Sequence, residues 1–166
     1  MLTQTDRLTI RKFSLNDTVF IQQLLNSEGW LKYIGDRQID SEEAARNYLQ
    51  RVALDNYEKN RWGIFLIERM DDQVPVGLLS LLKRDYLPLH DIGFALLPAY
   101  SGRGYAYEAA SKLMNYAKND LGIPAVCAIT LEHNLRSIAL LKKLGLSFVK
   151  RLQIAEDPEE LLLYQE

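Results

Sequence analysis

The stretch Asp91-Ile-Gly-Phe-Ala-Leu-Leu-Pro98, followed by Ser101-Gly-Arg-Gly-Tyr-Ala106 and Glu108-Ala-Ala-Ser-Lys-Leu-Met-Asn-Tyr116, reads as a strand, a glycine-bearing turn and a helix. A helix that starts at such a turn aims several unpaired backbone N–H groups at one spot, and the positive end of its dipole reinforces them. That arrangement suits a phosphate or pyrophosphate group. Gly102 and Gly104 let the backbone take dihedrals that a side chain forbids and let a ligand come close.

Working outward, the rest of the chain fits a single domain over residues 1–166. No repeat, low-complexity segment or linker interrupts it. Hydrophobic content of 48% and charged content of 25% are ordinary for a globular protein. A net charge of −2 argues against a nucleic-acid surface. No apolar run approaches the ~20 residues needed to span a membrane. The expectation is a cytoplasmic protein with no direct nucleic-acid or membrane partner. Cys127 is the only cysteine, which excludes an internal disulfide and a cysteine-based metal cluster, and its apolar neighbours read as a buried thiol. With only His90 and His133 besides, no metal is expected.

Leu8–Phe13 alternates as a first strand, and Ser14 or Asn16 caps a helix carrying Val19, Phe20, Leu24 and Leu25. Residues 30–39 read as irregular. Asp40 with Glu43 then signals a helix with Ala44, Tyr48, Leu49 and Val52 on its apolar face. Trp62–Glu68 and Val74–Leu82 read as a hairpin, and Leu89–Leu97 as the next strand. The helix from Gly104 to Asn119 is expected to bury Ala106, Ala110, Leu113, Met114 and Ala117, and to turn Glu108, Lys112 and Lys118 outward. Ala125–Leu131 is a strand, Asn134 caps a helix that Gly145 ends, and Leu146–Ile154 with Glu160–Tyr164 form a last antiparallel pair around Asp157-Pro158. The fold class is α/β (α+β): a mixed, mostly antiparallel sheet of about six to seven strands flanked by about four helices.

Two familiar nucleotide folds do not fit. A Rossmann unit wants a third glycine where Tyr107 stands, and a place after the first strand of a parallel series. A Walker loop wants Gly-Lys followed by Ser or Thr, which is absent from the turn.

The arrangement resembles the GNAT N-acetyltransferase superfamily, and within it the RimJ/RimL-like branch. Thr5-Asp-Arg-Leu-Thr-Ile-Arg11 resembles that branch's opening strand, and Tyr33-Ile-Gly-Asp-Arg37 the segment between its first helices. Asp91–Pro98 resembles its fourth strand, Ser101–Ala110 its coenzyme A loop and helix, and Asn134-Leu-Arg-Ser137 through Gly145 the segment after its fifth strand. The loop pattern is Gln/Arg-x-x-Gly-x-Gly/Ala. Gly104 and Ala106 agree with it, whereas Ser101 departs.

The resemblance implies acetyl-CoA as co-substrate, held by the turn residues Ser101, Gly102, Arg103, Gly104, Tyr105 and Ala106 and by the main chain of Phe94, Ala95, Leu96 and Leu97. It implies that the strand splays from its neighbour to admit the pantetheine arm, and that Asn134 bonds the pantetheine amides or caps its helix. The tyrosine that many members use to protonate the departing thiolate falls at Leu141 here, and Ser137 matches the serine given that role in the RimL-like branch. Attack needs a neutral amine, so a general base is useful. Asp91 and His90 are the candidates, of which only one can face the cleft, and Glu68 is a further strand carboxylate.

A backbone N–H on the same strand is the natural donor to the thioester oxygen as charge develops there. Trp30, Tyr33, Tyr48, Trp62 and Tyr86 are available to line an acceptor site between the N-terminal helices and the last hairpin. The expected activity is transfer of acetyl to a primary amine. The branch favours a protein N-terminal α-amine, while small amines, polyamines, amino-acid derivatives and aminoglycosides stay open. The alternative is a coenzyme A-binding regulatory or sensory protein without transferase activity. Monomer and homodimer are both compatible with the sequence.

Overall fold

The computed structural model describes residues 2–154 and 159–166. Its centre is one sheet, in the order β1-β2-β3-β4-β5-β6-β8-β7. The strands are β1 (Thr3–Gln4), β2 (Leu8–Lys12), β3 (Gly63–Arg69), β4 (Pro75–Lys83), β5 (His90–Leu96), β6 (Val126–Leu131), β7 (Ser147–Leu152) and β8 (Leu161–Gln165). Every neighbouring pair is antiparallel except β5 with β6. The sheet has eight strands rather than six or seven; the addition is the two-residue β1, too short to carry an alternation of its own.

The helices are α1 (Thr18–Leu25), α2 (Glu28–Tyr33), α3 (Glu42–Leu49), α4 (Asp55–Lys59), α5 (Tyr105–Asp120) and α6 (Leu135–Lys143). On one face α5 packs Ala109, Ala110, Leu113 and Ala117 onto Leu79, Leu81 and Ile92. On the other, Phe20, Ile21 and Leu24 of α1 and Ala45 and Leu49 of α3 cover Ile64, Leu66, Leu78 and Leu97. Each buried leucine of this kind contributes about 1.5–3 kcal/mol of transfer free energy.

Several local expectations shift. Ser14 caps a short 3-10 turn, Leu15–Asp17, that leads into α1, and Val19 is 70% exposed because Ile21 takes the inward position instead. The start of the segment read as irregular belongs to α2, whose six residues, Gly29 among them, carry too little periodicity to reveal it. The cap of α3 is Ser41, one residue after Asp40, and its side chain accepts the Ala44 N–H. Leu49 is buried as expected; Ala45 and Ala53, the latter in a π-helical continuation at Gln50–Leu54, are the other fully buried positions, and Ala44, Tyr48 and Val52 are partly buried beside them. In α5, Ala106 and Met114 are only half-buried. Glu108 does not turn freely outward, being bonded to Thr5 and Arg7. Asp157-Pro158 lies outside the described residues.

One partly buried ion network ties β2 to α1's approach. The Arg11 guanidinium donates to both oxygens of Asp17, at 3.0 and 2.8 Å, and its Nε donates to Glu68 at 3.0 Å. Burial opposes ionisation of Asp17, but the bonds from Arg11 and Ser14 outweigh it and hold the carboxyl below its usual range. Removing the cation leaves the Asp17 charge buried with only Ser14 to bond it, so Arg11→Met is expected to destabilise the fold by about 3 kcal/mol. That corresponds to a fall in Tm of roughly 6–12 °C for a chain of this size. A carboxyl with a lowered folded pKa stabilises fully above its unfolded pKa and loses that contribution as pH falls. The wild-type advantage in melting temperature should therefore hold at neutral pH and shrink below about pH 4.

Candidate active site

β5 and β6 pair through two residues only, His90 with Val126 and Asp91 with Cys127. β5 nevertheless stays registered to β4 as far as Leu96. From Ile92 onward its other edge faces a gap. The Leu97 N–H donates to Val76 O at 2.9 Å on the β4 side. Main-chain polar groups alternate sides along a strand, so those of Gly93 and Ala95 also point to β4, while those of Ile92, Phe94 and Leu96 point into the gap. Of the four strand residues implied in cofactor binding, Phe94 and Leu96 therefore offer main-chain groups. Ala95 and Leu97 turn their main chain to β4, and their side chains join the core beneath α1 and α3.

Asp91 stands at the vertex. Its side chain is 6% exposed, its carboxylate accepts from Arg84 Nε at 2.7 Å, and it also accepts the Ile129 main-chain N–H. It takes the place of a strand carbonyl for β6 just where β5 departs. Burial raises its pKa, and Arg84 and the Ile129 N–H pull it only part of the way back. Neither Arg84 nor Ile129 was signalled in the sequence, because nothing local pairs them with Asp91. Cys127, beside this carboxylate, is buried with its thiol pushed up to about 11 by burial and by Asp91's charge, which makes it inert at neutral pH.

His90 belongs to the opposite face and to the closed end of the gap. Its ring meets the edge of Trp62 at 5.0 Å, and its Nε2 is buried without a partner among the described residues. Burial, and then the charge of Lys83, lowers its pKa, so it is neutral near pH 7. Glu68 is held by Arg11, away from the gap.

Because β5 and β6 are parallel, the open end of the gap lies where both strands finish. The glycine turn follows β5 there, and Asn134 follows β6. Gly102 and Gly104 have φ of 76° and 82°, the left-handed region that favours glycine. Gly104 is the N-cap of α5, and the first intrahelical bond runs from the Glu108 N–H to Gly104 O. The N–H groups of Tyr105, Ala106 and Tyr107 precede that bond and stay available. The Tyr105 ring is buried, so its contribution to the turn is its main chain. Arg103 lies over the Tyr100 ring at 5.7 Å and Ser101 is half-buried.

Asn134 caps α6, its Oδ1 accepting the Ser137 N–H at 3.2 Å, which leaves its NH2 group for another partner. Ser137 is half-buried in the first turn, whereas Leu141 is 1% exposed in the core, closing the place of the expected tyrosine. Tyr33 of α2 meets the His133 ring at 5.7 Å and so brings the N-terminal helices to the same end. Trp30, one turn earlier, is buried. Among the described residues no group of side chains is arranged to hold a metal ion, and no helix is long and apolar enough to cross a membrane.

A parallel pair forced apart, with a free main-chain edge leading to a helix N-terminus, accepts a long ligand with amide groups along its arm and phosphates at its end. Residues 7–147 match the acetyltransferase (GNAT) domain family, and the chain belongs to that family. It is 29% identical over 148 residues to the uncharacterized N-acetyltransferase YoaA of Bacillus subtilis (strain 168), covering 87% of this chain and 81% of that one. Its fold is similar to that of a GNAT-family acetyltransferase from Bacillus anthracis, with a TM-score of 0.80, 24% identity and coverage of 98% and 96%. It is also similar to RimL, a ribosomal-protein alpha-N-acetyltransferase in complex with coenzyme A, with a TM-score of 0.84, 18% identity and coverage of 99% and 96%. The chain is thus an acyltransferase of the GNAT type, a family that uses acetyl-CoA.

A carboxylate added at position 104 would bring a negative charge into the glycine turn, its Cβ 3.4 Å from Arg7 Nη2, and oppose a phosphate there. Gly104→Asp is expected to leave the protein folded and to abolish the rise in melting temperature that coenzyme A produces in the wild type.

Proposed function

We propose that the protein acetylates a primary amine with acetyl-CoA, and that a protein or peptide N-terminal α-amine is its preferred acceptor. The observation that carries the reading is the unpaired edge of β5 beside the glycine turn. The turn N–H groups and Arg103 hold the phosphates, the main chain of Phe94 and Leu96 pairs with the pantetheine amides, and the Asn134 NH2 group bonds the arm from the β6 side. The fit is chemical: these are free donors and acceptors, and the arm supplies the matching groups. When bound, acetyl-CoA supplies an acyl group already activated as a thioester. Positioning an amine against it is alone worth several kcal/mol, roughly 7–11 in favourable cases.

An α-amine with a pKa near 8 is neutral in a useful fraction at physiological pH, whereas a lysine near 10.4 is not. That difference, the RimL-like fold and α2 drawn to the open end of the gap all favour the α-amine. We assign Asp91 rather than His90 as the group that takes up the amine's proton, through water. It lies on the face covered by α1 and α3, with Ala95 and Leu97, whereas His90 lies on the opposite face against Trp62. Ser137 is proposed to donate a hydrogen bond to the departing thiolate.

The test offers purified protein a peptide with a free N-terminus, the same peptide N-terminally blocked but bearing a lysine, and a polyamine. We expect acetylation of the first at a kcat/KM at least tenfold above the others; equal rates on all three would remove the α-amine preference, and no product on any would remove the transferase reading. In the same assay Asp91→Asn is expected to lower kcat about 100-fold with KM for acetyl-CoA little changed. A rise in that KM with kcat kept would instead assign the carboxylate to holding the strands apart.

A further inference from the structure

The turn between β1 and β2 is bonded to the first turn of α5, about a hundred residues away. Thr5 Oγ1 donates to Glu108 Oε1 at 2.5 Å, and the Arg7 main-chain N–H donates to the same oxygen at 3.1 Å. Arg7 Nε and Nη2 reach the other oxygen, Oε2, at 2.7 and 2.5 Å. Arg7 Nη1 donates to the main-chain carbonyl of Arg103, inside the glycine turn, at 3.2 Å. The guanidinium lies over the Tyr105 ring, 4.7 Å from its centre. A Cβ on Gly104 would come within 3.4 Å of Arg7 Nη2. One side chain therefore touches Arg103, Tyr105 and Glu108 of the phosphate-binding segment and lies beside Gly104.

Glu108 explains why such an assembly is needed. An acidic side chain in the first helical turn is favourable for the helix itself. It also puts a negative charge beside the spot where a pyrophosphate must sit, which opposes binding. Here both its oxygens are occupied. Burial alone would disfavour the anion, but the bonds from Thr5 and Arg7 hold the carboxyl below its usual range. The charge is thus present for the helix and answered on the side of the ligand.

We propose that Arg7, with Thr5, is a positioning residue for the pyrophosphate end of acetyl-CoA: it holds the glycine turn open through the Arg103 carbonyl and cancels the charge of Glu108. The proposal rests on the cofactor reading above and adds a function for the N-terminal strand pair, which lies outside the gap. It predicts a defect confined to ligands that carry the pyrophosphate.

The experiment compares acetyl-CoA with S-acetylpantetheine, which shares the thioester and the arm but lacks the phosphates. Arg7→Ala is expected to raise KM for acetyl-CoA about tenfold, with kcat and the KM for the amine within about twofold, and to leave the rate with S-acetylpantetheine unchanged. The double variant Arg7→Ala with Glu108→Ala is expected to recover part of the lost affinity, because the unanswered carboxylate is gone. Titration of coenzyme A and pantetheine onto each variant reads the same selectivity without turnover, so a failed transferase assay does not decide the matter. Equal loss for both ligands, or a double variant that binds no better than Arg7→Ala, would overturn the proposal. So would wild-type affinity in Arg7→Ala. Arg7→Lys, which keeps the charge without the forked geometry, gives a milder change and serves if Arg7→Ala does not fold; full retention of selective binding in it would show that the fork is not used.

Discussion

The end of the β5–β6 pairing at Asp91 and Cys127 shapes the functional half of this protein. A parallel pair of strands left to itself continues its ladder, since each unpaired buried N–H or C=O is costly. At Asp91 a side chain intercepts one of those donors, with Arg84 compensating its charge. The pairing of β5 with β6 goes no further than this point. The antiparallel partners on the outer sides, β4 for β5 and β8 for β6, keep each strand straight after the separation. The price is an open main-chain edge on β5, and that edge is what a ligand with amide groups can complete.

The rest of the architecture serves that opening. The parallel direction of β5 and β6 places their ends side by side, so the phosphate turn after β5 and the Asn134 cap after β6 flank one mouth. Helix α5 offers its N-terminus there because its long apolar face is anchored on β4 and β5. α1 and α3 close the other face, leaving α2 to reach across to His133. Charge is handled locally at each point. Arg84 answers Asp91 seven residues on, Arg11 answers Asp17 close by and Glu68 on β3, and Arg7 answers Glu108 on the far α5.

Much of this was legible in the sequence. The strand, turn and helix around Ser101–Ala106 announce themselves because glycine placement and helical periodicity are local properties, and the same holds for the β3–β4 hairpin and for Asn134 as a cap. What escaped was short or non-local. β1 has two residues and α2 has six, too few for a period. Val19 points out while Ile21 points in, and Ala45 and Ala53 are more deeply buried than Ala44 and Val52, since apolar residues on adjacent sites leave the phase of a helix open. Glu108 reads as solvent-facing on a helical wheel, and only the approach of the β1–β2 turn changes that. Asp91 could be marked as a carboxylate of interest, but its partner is the main chain of a strand nearly forty residues on, which no motif encodes. The opposite placement of His90 and Asp91, by contrast, follows from strand alternation alone.

The central claim is that the gap-facing main chain of β5 is the docking edge for the acyl carrier. It is tested most directly by amide hydrogen exchange, followed by NMR with and without saturating acetyl-CoA. The account predicts that exchange at Phe94 and Leu96 slows by roughly tenfold or more, while Gly93 and Ala95, already bonded to β4, hardly change. Bound ligand with unaltered exchange at Phe94 and Leu96, or equal slowing at all four, would contradict it.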